Sequence, residues 1–439
     1  MQDSRYLLVT HIPFTRNSSG LPVIDSLWAR DLCALVKSVG PIRVAAPELN
    51  PDGPLTSWGP NLQPLPESAG ITFRGLPQMK SARPSVLRFK TRRILREEVA
   101  HADLVHTSNY FPPYVGLAYA HDLAVKLGKK TVFVITEDFY DMLSWEWVRT
   151  SKGLNRWRRE RAAKALDVRA RRSARTASLT MLHTPAVVTR YRLDAEKSMM
   201  IRHPIHEADE VIDEASLAAR TLSLEENRPL HIATACRHSE LKGLDLIIRA
   251  IALLKDRQVE VHATMYGHGP DTAKLKQLAA LLGVSDRVSL PGSLENGATL
   301  GTALRHADLF VMAHRTSDFG RSFFDAMAAG LPVMAFTTPA SSATVYNGLD
   351  GFLTPLDDIQ GLAEHIAALH RDRSLLAKAA LNARRRALEN TCSEWFRIRG
   401  SWTRALLQPT AEAQSLNQES PRSPAPLPAK TAFQIPSPV

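Results

Sequence analysis

Arg237 and Lys242 stand in the stretch Ala235-Cys236-Arg237-His238-Ser239-Glu240-Leu241-Lys242-Gly243. A strand pattern at 231–235 runs into it, and a helix pattern over 244–254 leads away. Two cations flanking a turn at the end of a strand suit a diphosphate, because each donates charge-assisted hydrogen bonds to phosphate oxygens. Two solvated basic residues in an ordinary loop have the same local appearance. Tyr266-Gly267-His268-Gly269-Pro270 follows the next strand pattern, and its glycines permit close backbone approach. Leu290-Pro291-Gly292-Ser293-Leu294 is a further turn after a strand, suited to presenting backbone groups to a base edge. The fourth segment, 317–336, reads as a loop at Asp318-Phe319-Gly320, a short helix, and a stop at Gly330 and Pro332. The apolar strand 333–336 completes it. Phe323, Phe324, Met327 and Ala328 fall on the buried face of that helix, while Asp325 is placed to accept hydrogen bonds from ribose-like hydroxyls. Each segment alone fits any α/β domain.

Positioning these pieces requires parallel strands joined by helices. The first half gives strand patterns at 6–10, 42–46, 71–74, 102–106, 131–136, 179–182 and 199–202. Helix patterns lie at 24–39, 80–100, 114–127 and 149–175. In the last of these, Leu154, Trp157, Ala163, Leu166 and Ala170 take the inward positions, and Val86, Phe89 and Ile94 do so in 80–100. A second series starts at Leu230 and alternates strands and helices to about Glu389. Two successive series imply two doubly wound parallel-sheet domains, and a cleft between them is the default ligand site. Residues 207–227 are polar and acidic and read as a linker. Seven prolines fall after Gln408, so that tail is expected to be disordered.

At 439 residues, with 44% hydrophobic and 23% charged side chains, the chain is long enough for two or three domains with substantial cores. No run approaches the roughly 18 to 20 apolar residues of a membrane helix. The first residues lack the basic lead and cleavage site of a signal peptide. Cys33, Cys236 and Cys392 are odd in number and far apart, which argues against a disulfide scaffold or zinc site and points to the cytoplasm. The formal charge of +11 is localised. Residues 149–175 hold eleven Lys/Arg against Glu160 and Asp167, and 80–98 hold seven against two, so the remainder is slightly acidic. A basic surface of this kind suggests a polyanionic partner. With Trp157 as its one aromatic, the longer segment is a poor base-stacking platform, so no nucleic acid is expected.

Taken together, the four segments resemble the second domain of the group 1 (family 4) retaining glycosyltransferases of GT-B fold. The resemblance is close over about 230–387 and looser over the first 205 residues. Cys236-Arg237-His238 and Lys242-Gly243 take the places of the family's Gly-Arg-Leu and Lys-Gly. Gly267-His268-Gly269-Pro270 matches Gly-x-Gly-Pro, and Asp325-Ala326-Met327-Ala328-Ala329-Gly330-Leu331-Pro332-Val333 matches the block opened by the second of two glutamates. The fold implied is α/β, two doubly wound Rossmann-like domains facing across a cleft. Residues 1–205 would be the acceptor-side domain, 206–228 the linker and 229–391 the nucleotide-sugar-binding domain. Residues 392–408 would be a C-terminal helix packing back on the first domain, and 409–439 the tail.

The resemblance also implies roles. Arg237 and Lys242 would neutralise the donor diphosphate without a metal or other cofactor. Asp325 would hold the ribose, the backbone of Phe319, Gly320 and Arg321 would face the phosphates and sugar, Ser293 and Leu294 would contact the base, and Gly267 would line the donor. The acceptor would be a saccharide or lipid-linked saccharide. The basic segments 80–98 and 149–175 would meet an anionic membrane surface, giving a cytoplasmic protein peripheral at the inner face.

Several positions depart from the family pattern. The first glutamate, which meets the donor sugar in the family, is Ser317, kept here as a donor-binding candidate; the next residue is Asp318 in place of glycine, and the second glutamate is Asp325. Either Asp318 takes over the missing carboxylate by a one-residue shift, or the sugar is read differently, or it is not read at all. Glu137 and Asp138 stand where many members carry a histidine, which makes Glu137 a catalytic candidate beside Asp318. The N-terminal glycine-rich donor loop is reduced to Asn17-Ser18-Ser19-Gly20, with Gly20 its donor-binding residue, and a Gly-Gly pair near 339 is Pro339-Ala340. His106 and His183 each follow an apolar strand and read as structural, and Tyr110, Phe111 and Tyr114 either stack on a sugar or pack locally. The alternatives are a nucleotide-sugar epimerase of the same fold, with Glu137 and Asp138 as acid and base, and a catalytically silent nucleotide-sugar-binding homologue.

Overall fold

Two series of strands alternate with helices, and each closes into its own parallel sheet. The computed structural model describes residues 5–50, 62–77, 84–109, 116–136, 138–226, 228–295, 297–317 and 320–407. The chain divides into two units between Ile201 and Arg202, and it returns to the first unit at Trp395.

The first unit holds seven strands in the order Ser198–Met200, Leu179–Leu182, Lys130–Ile135, Leu104–Ser108, Tyr6–Val9, Ile42–Pro47 and Ile71–Leu76. All pairings are parallel. A small antiparallel sheet, Thr15–Arg16, Pro22–Asp25 and Leu62–Pro64, lies apart from it in the hydrogen-bond pattern. His106, on the strand Leu104–Ser108, is buried, with its Nδ1 2.5 Å from the Tyr6 hydroxyl. Burial holds the His106 pKa down at about 3, which keeps the imidazole neutral and leaves the hydroxyl and ring to share one hydrogen bond. The helix Cys392–Ala405 adds its last turns to this unit, where Arg404 donates to the Ser38 carbonyl.

The basic helix runs over Gly153–Thr176. Ala163, Ala170, Ser173 and Ala174 are its buried positions, but Leu154 is 62% and Trp157 53% exposed. The expected inward face therefore holds only from Ala163 onward. In the helix Pro84–His101, Ile94 and Leu95 are buried, whereas Phe89 is 74% exposed.

The second unit holds six strands, ordered Val288–Gly292, Val261–Tyr266, Leu230–Ala235, Leu309–Met312, Val333–Phe336 and Gly351–Thr354, all parallel. Val333–Phe336 is buried on both faces, as expected for a central parallel strand. Met334 and Phe336 join the core with Ile247, Ile251 and Ile366, while Val333 and Ala335 join the opposite core with Phe324, Met327 and Ala383.

Residues 206–228, polar enough to read as a linker, fold into this unit. The helix Glu214–Ser223, N-capped by Asp213, seats Leu217 beside Ile212 in the core around Phe324. A few well-spaced apolar residues suffice to dock a segment whose overall composition is polar. The tail at 409–439 lies outside the described residues.

Candidate functional site

The strand order of the second unit reverses between Leu230–Ala235 and Leu309–Met312. At such a switch point the connections diverge and leave a crevice at the carboxyl ends of the strands. Ala235 leads there into the Arg237–Lys242 loop, and Met312 leads into 313–317. The two loops are in contact. Gly243 has φ +64°, and a Cβ on it would run into the Ala313 carbonyl, so glycine is what lets the Lys242 turn sit this close. Arg315 fastens them together. Its N–H donates to the Leu241 carbonyl at 3.0 Å, and its guanidinium grips both oxygens of Asp245 at 2.8 and 2.7 Å. A two-point grip of this kind fixes geometry as well as charge.

The glycine loops complete the rim. Cys236 N–H donates to Tyr266 at 3.1 Å, His238 N–H to His268 at 3.2 Å, and Gly267 N–H to Gly292 at 2.8 Å. Gly267 has φ +129°, and a Cβ there would strike the Cys236 carbonyl. Arg237, Lys242, Gly267, Ser293 and Leu294 are thus carried on three loops linked by backbone bonds. Arg237 and Ser293 are exposed and Lys242 half-buried, while Leu294 packs partly against the Phe324 core. His238, between the cations, is buried, pairs its Nδ1 with the Thr272 hydroxyl at 3.0 Å, and has its pKa lowered by burial. It adds no charge to the loop.

Ser317 is buried, and its hydroxyl accepts the Ala340 N–H at 3.1 Å. Thr338 and Ser341 cap the short helix Pro339–Ser342 reciprocally, and Ser341 also donates to the Phe336 carbonyl. Ser317 therefore braces a neighbouring turn. Gly320 and Arg321 lead into the helix Ser322–Ala328, whose Phe323, Phe324, Met327 and Ala328 are buried and whose Asp325 is half-buried. Arg220 donates to the Ala329 carbonyl at 2.9 Å and to that of Gly330, satisfying the end of this helix. Burial of this guanidinium lowers its pKa to about 10.

Asp318, Phe319 and Glu137 lie outside the described residues. Gly20 belongs to the first unit, at the tip of the hairpin Thr15–Arg16/Pro22–Asp25, with φ +79° and its carbonyl bonded by Arg16 at 2.9 Å. Asp138 is in that unit too, where it caps Phe139–Leu143 and pairs with Arg190 at 3.0 Å. Burial raises its pKa against the pull of Arg190. The residues missed from sequence are Arg315, Asp245, Arg220, Arg202 and His203. Their partners lie dozens to over a hundred positions away, and the nearest local signal is Asp245 in the first turn after Gly243.

Among the described residues no group of three or more His, Cys, Asp or Glu could hold a metal ion, and no helix is long and apolar enough to cross a membrane.

Residues 229–372 match the model of the glycosyl transferases group 1 family. The chain is 32% identical over 160 residues to the lipopolysaccharide core biosynthesis mannosyltransferase LpsB of Rhizobium meliloti (strain 1021), covering 35% of this chain and 45% of that one. It is 30% identical over 219 residues to the D-inositol 3-phosphate glycosyltransferase of Mycobacterium sp. (strain JLS), covering 49% and 47%. The matched stretch thus spans less than half the length of these curated relatives. Among solved structures, sucrose-phosphate synthase from Thermosynechococcus elongatus superposes with a TM-score of 0.66 at 16% identity, over 92% of this chain and 99% of that one. HepE of Anabaena in complex with UDP gives 0.62 at 18% identity, over 94% and 100%. The fold is GT-B, with two parallel-sheet α/β units. Within the second unit, residues 229–372 are similar to the glycosyl transferases group 1 family.

Proposed function

We propose that this protein is a glycosyltransferase that moves a sugar from a nucleotide-sugar donor to a saccharide or lipid-linked saccharide acceptor, with retention, in cell-surface polysaccharide biosynthesis. The observation that carries the reading is the seating of the Arg237–Lys242 loop at the sheet's switch point, locked by Gly243 and by the Arg315–Asp245 grip. Relatives named for lipopolysaccharide and colanic acid biosynthesis support the product class.

In this reading Arg237 and Lys242 hold the donor diphosphate and Asp325 the ribose hydroxyls. Gly267 gives the donor backbone clearance, Ser293 and Leu294 meet the base, and Gly320 and Arg321 face phosphate and sugar. As the bond from the sugar's anomeric carbon to the phosphate oxygen breaks, its electron pair passes to the diphosphate. The two cations stabilise that growing charge without a resident metal. The acceptor hydroxyl attacks from the same face, and its proton goes to a phosphate oxygen of the leaving group. Asp318 and Glu137 are the carboxylates proposed to read the sugar and acceptor, with Gly20 near the donor. Asp138 is committed to its cap and to Arg190, which disfavours the acid–base pair an epimerase would need.

The protein is proposed to act in the cytoplasm, at the inner face of a membrane. The first half of Gly153–Thr176 exposes Leu154 and Trp157 among its cations, with the Arg161 guanidinium 4.9 Å from the Trp157 ring centre. Apolar anchors within a basic face suit anionic lipid. The same contact is proposed for 80–98.

The direct test is a thermal-shift screen of UDP-, GDP- and other nucleotide sugars, followed by transfer to a lipid-linked saccharide with EDTA present and assignment of the product anomer. No stabilisation and no transfer with any donor would remove the proposal.

A further inference from the structure

The chain enters the second unit through Arg202-His203-Pro204, three residues with no motif of their own. His203 Nδ1 lies 3.3 Å from Nη2 of Arg321. A guanidinium only donates, so Nδ1 is the acceptor in this contact and carries no proton. One residue earlier, the Arg202 guanidinium lies 5.6 Å from the centre of the Phe324 ring. Arg321 and Phe324 are three positions apart and share one side of the turn that opens the helix Ser322–Ala328. Consecutive residues of the entering segment therefore lie along the same side of the turn that carries Asp325.

Arg202 also reaches the other wall. It is 6% exposed, and its Nη2 donates to the Ala343 carbonyl at 3.2 Å, in the segment whose Ala340 N–H is held by Ser317. Beside it Arg386 pairs with Asp350 at 3.1 Å and donates to the Thr344 carbonyl at 2.9 Å. Ser317 is thus held through Ala340, and Arg321 and Phe324 are held on one side through His203 and Arg202.

We propose that His203 and Arg202 are positioning residues of the nucleotide-binding site, His203 by orienting Arg321 and Arg202 by fixing the turn between Phe324 and Ala343. This rests on the donor-site reading above.

The test is calorimetric binding of UDP and GDP to the full chain and its variants. His203→Leu, which removes the acceptor, is expected to weaken the nucleotide that binds by about five- to tenfold, near the net contribution of a typical single hydrogen bond. His203→Asn, whose Oδ1 stands near the place of Nδ1, is expected to recover most of that loss. Arg321→Met should match His203→Leu, and the double variant should lose no more than either alone. Arg321→Met also reports if His203→Leu fails to fold. Wild-type affinity in His203→Leu and Arg321→Met, or equal loss in His203→Leu and His203→Asn, overturns the inference. Lys242→Ala in the same series separates the two readings. If it weakens binding while His203→Leu does not, only the positioning role fails. If neither nucleotide binds the wild-type chain, the donor site fails and the positioning role with it.

Discussion

The Ser317 hydroxyl accepts the backbone N–H of Ala340 at 3.1 Å, so two positions where the chain departs from the pattern of the family it resembles are bonded to each other. Both residues are buried. A side chain already spent on bracing a turn is a poor candidate for reading a sugar. Ser317→Ala leaves a buried N–H without its acceptor and should cost about 1–3 kcal/mol of stability. Urea denaturation checks the cost. Nucleotide affinity should stay within about twofold, and a larger loss would show that Ser317 meets the ligand.

The Arg315–Asp245 grip predicts coupled losses. The Arg315 side chain is 11% exposed and that of Asp245 31%, so removing either partner leaves a poorly hydrated charge. Arg315→Met or Asp245→Asn should each destabilise the protein by about 2–3 kcal/mol, and the double variant should cost clearly less than their sum. Both should weaken nucleotide binding, because the grip holds the Lys242 loop. A double-mutant cycle in urea gives the coupling, and simple additivity would contradict it.

Acid should weaken the first unit through two buried histidines. Burial lowers the pKa of His106 to about 3 and that of His121 to about 4, against an ordinary value of 6.5. The folded state then binds fewer protons than the unfolded chain. Their contribution is present above pH 6.5 and is lost as pH falls toward 4, at about 1.4 kcal/mol per unit per histidine at most. His121 sits between the hydroxyls of Thr107 and Thr176. His121→Gln should therefore flatten the fall in unfolding free energy between pH 6.5 and 4.5. An unchanged slope would contradict the assignment.

The basic helix makes a prediction about membranes. Co-sedimentation with phosphatidylserine vesicles should fall steeply as salt rises, since screening shortens the reach of surface charge. Leu154→Ala with Trp157→Ala should reduce it severalfold, and phosphatidylcholine vesicles should bind weakly. Binding indifferent to lipid charge and salt would remove the membrane contact.

What the sequence discloses and what it conceals divide along a physical line. The helix Ser322–Ala328, its stop at Gly330 and the strand Val333–Phe336 are legible because apolar spacing, a glycine and a proline act within a few residues of each other. The Lys242-Gly243 pair is legible for the same reason. Leu154 and Trp157 show the limit, since helical spacing defines a face without saying whether anything covers it. Arg220, Arg315 and His203 act on partners 109, 70 and 118 positions away, and no local pattern encodes such pairings. Residues 206–228 mislead for a related reason. Their composition is that of a solvated linker, yet Ile212 and Leu217 dock them into a core that the rest of the chain builds.

The most direct measurement is isothermal titration of UDP and GDP into the wild type, Lys242→Ala and Arg237→Ala. Each substitution is predicted to weaken nucleoside-diphosphate binding by roughly 1.5–3 kcal/mol, the range for hydrogen bonds to charged groups, with the fold intact by circular dichroism. Unchanged affinity in both variants would contradict the diphosphate clamp and the transferase reading built on it.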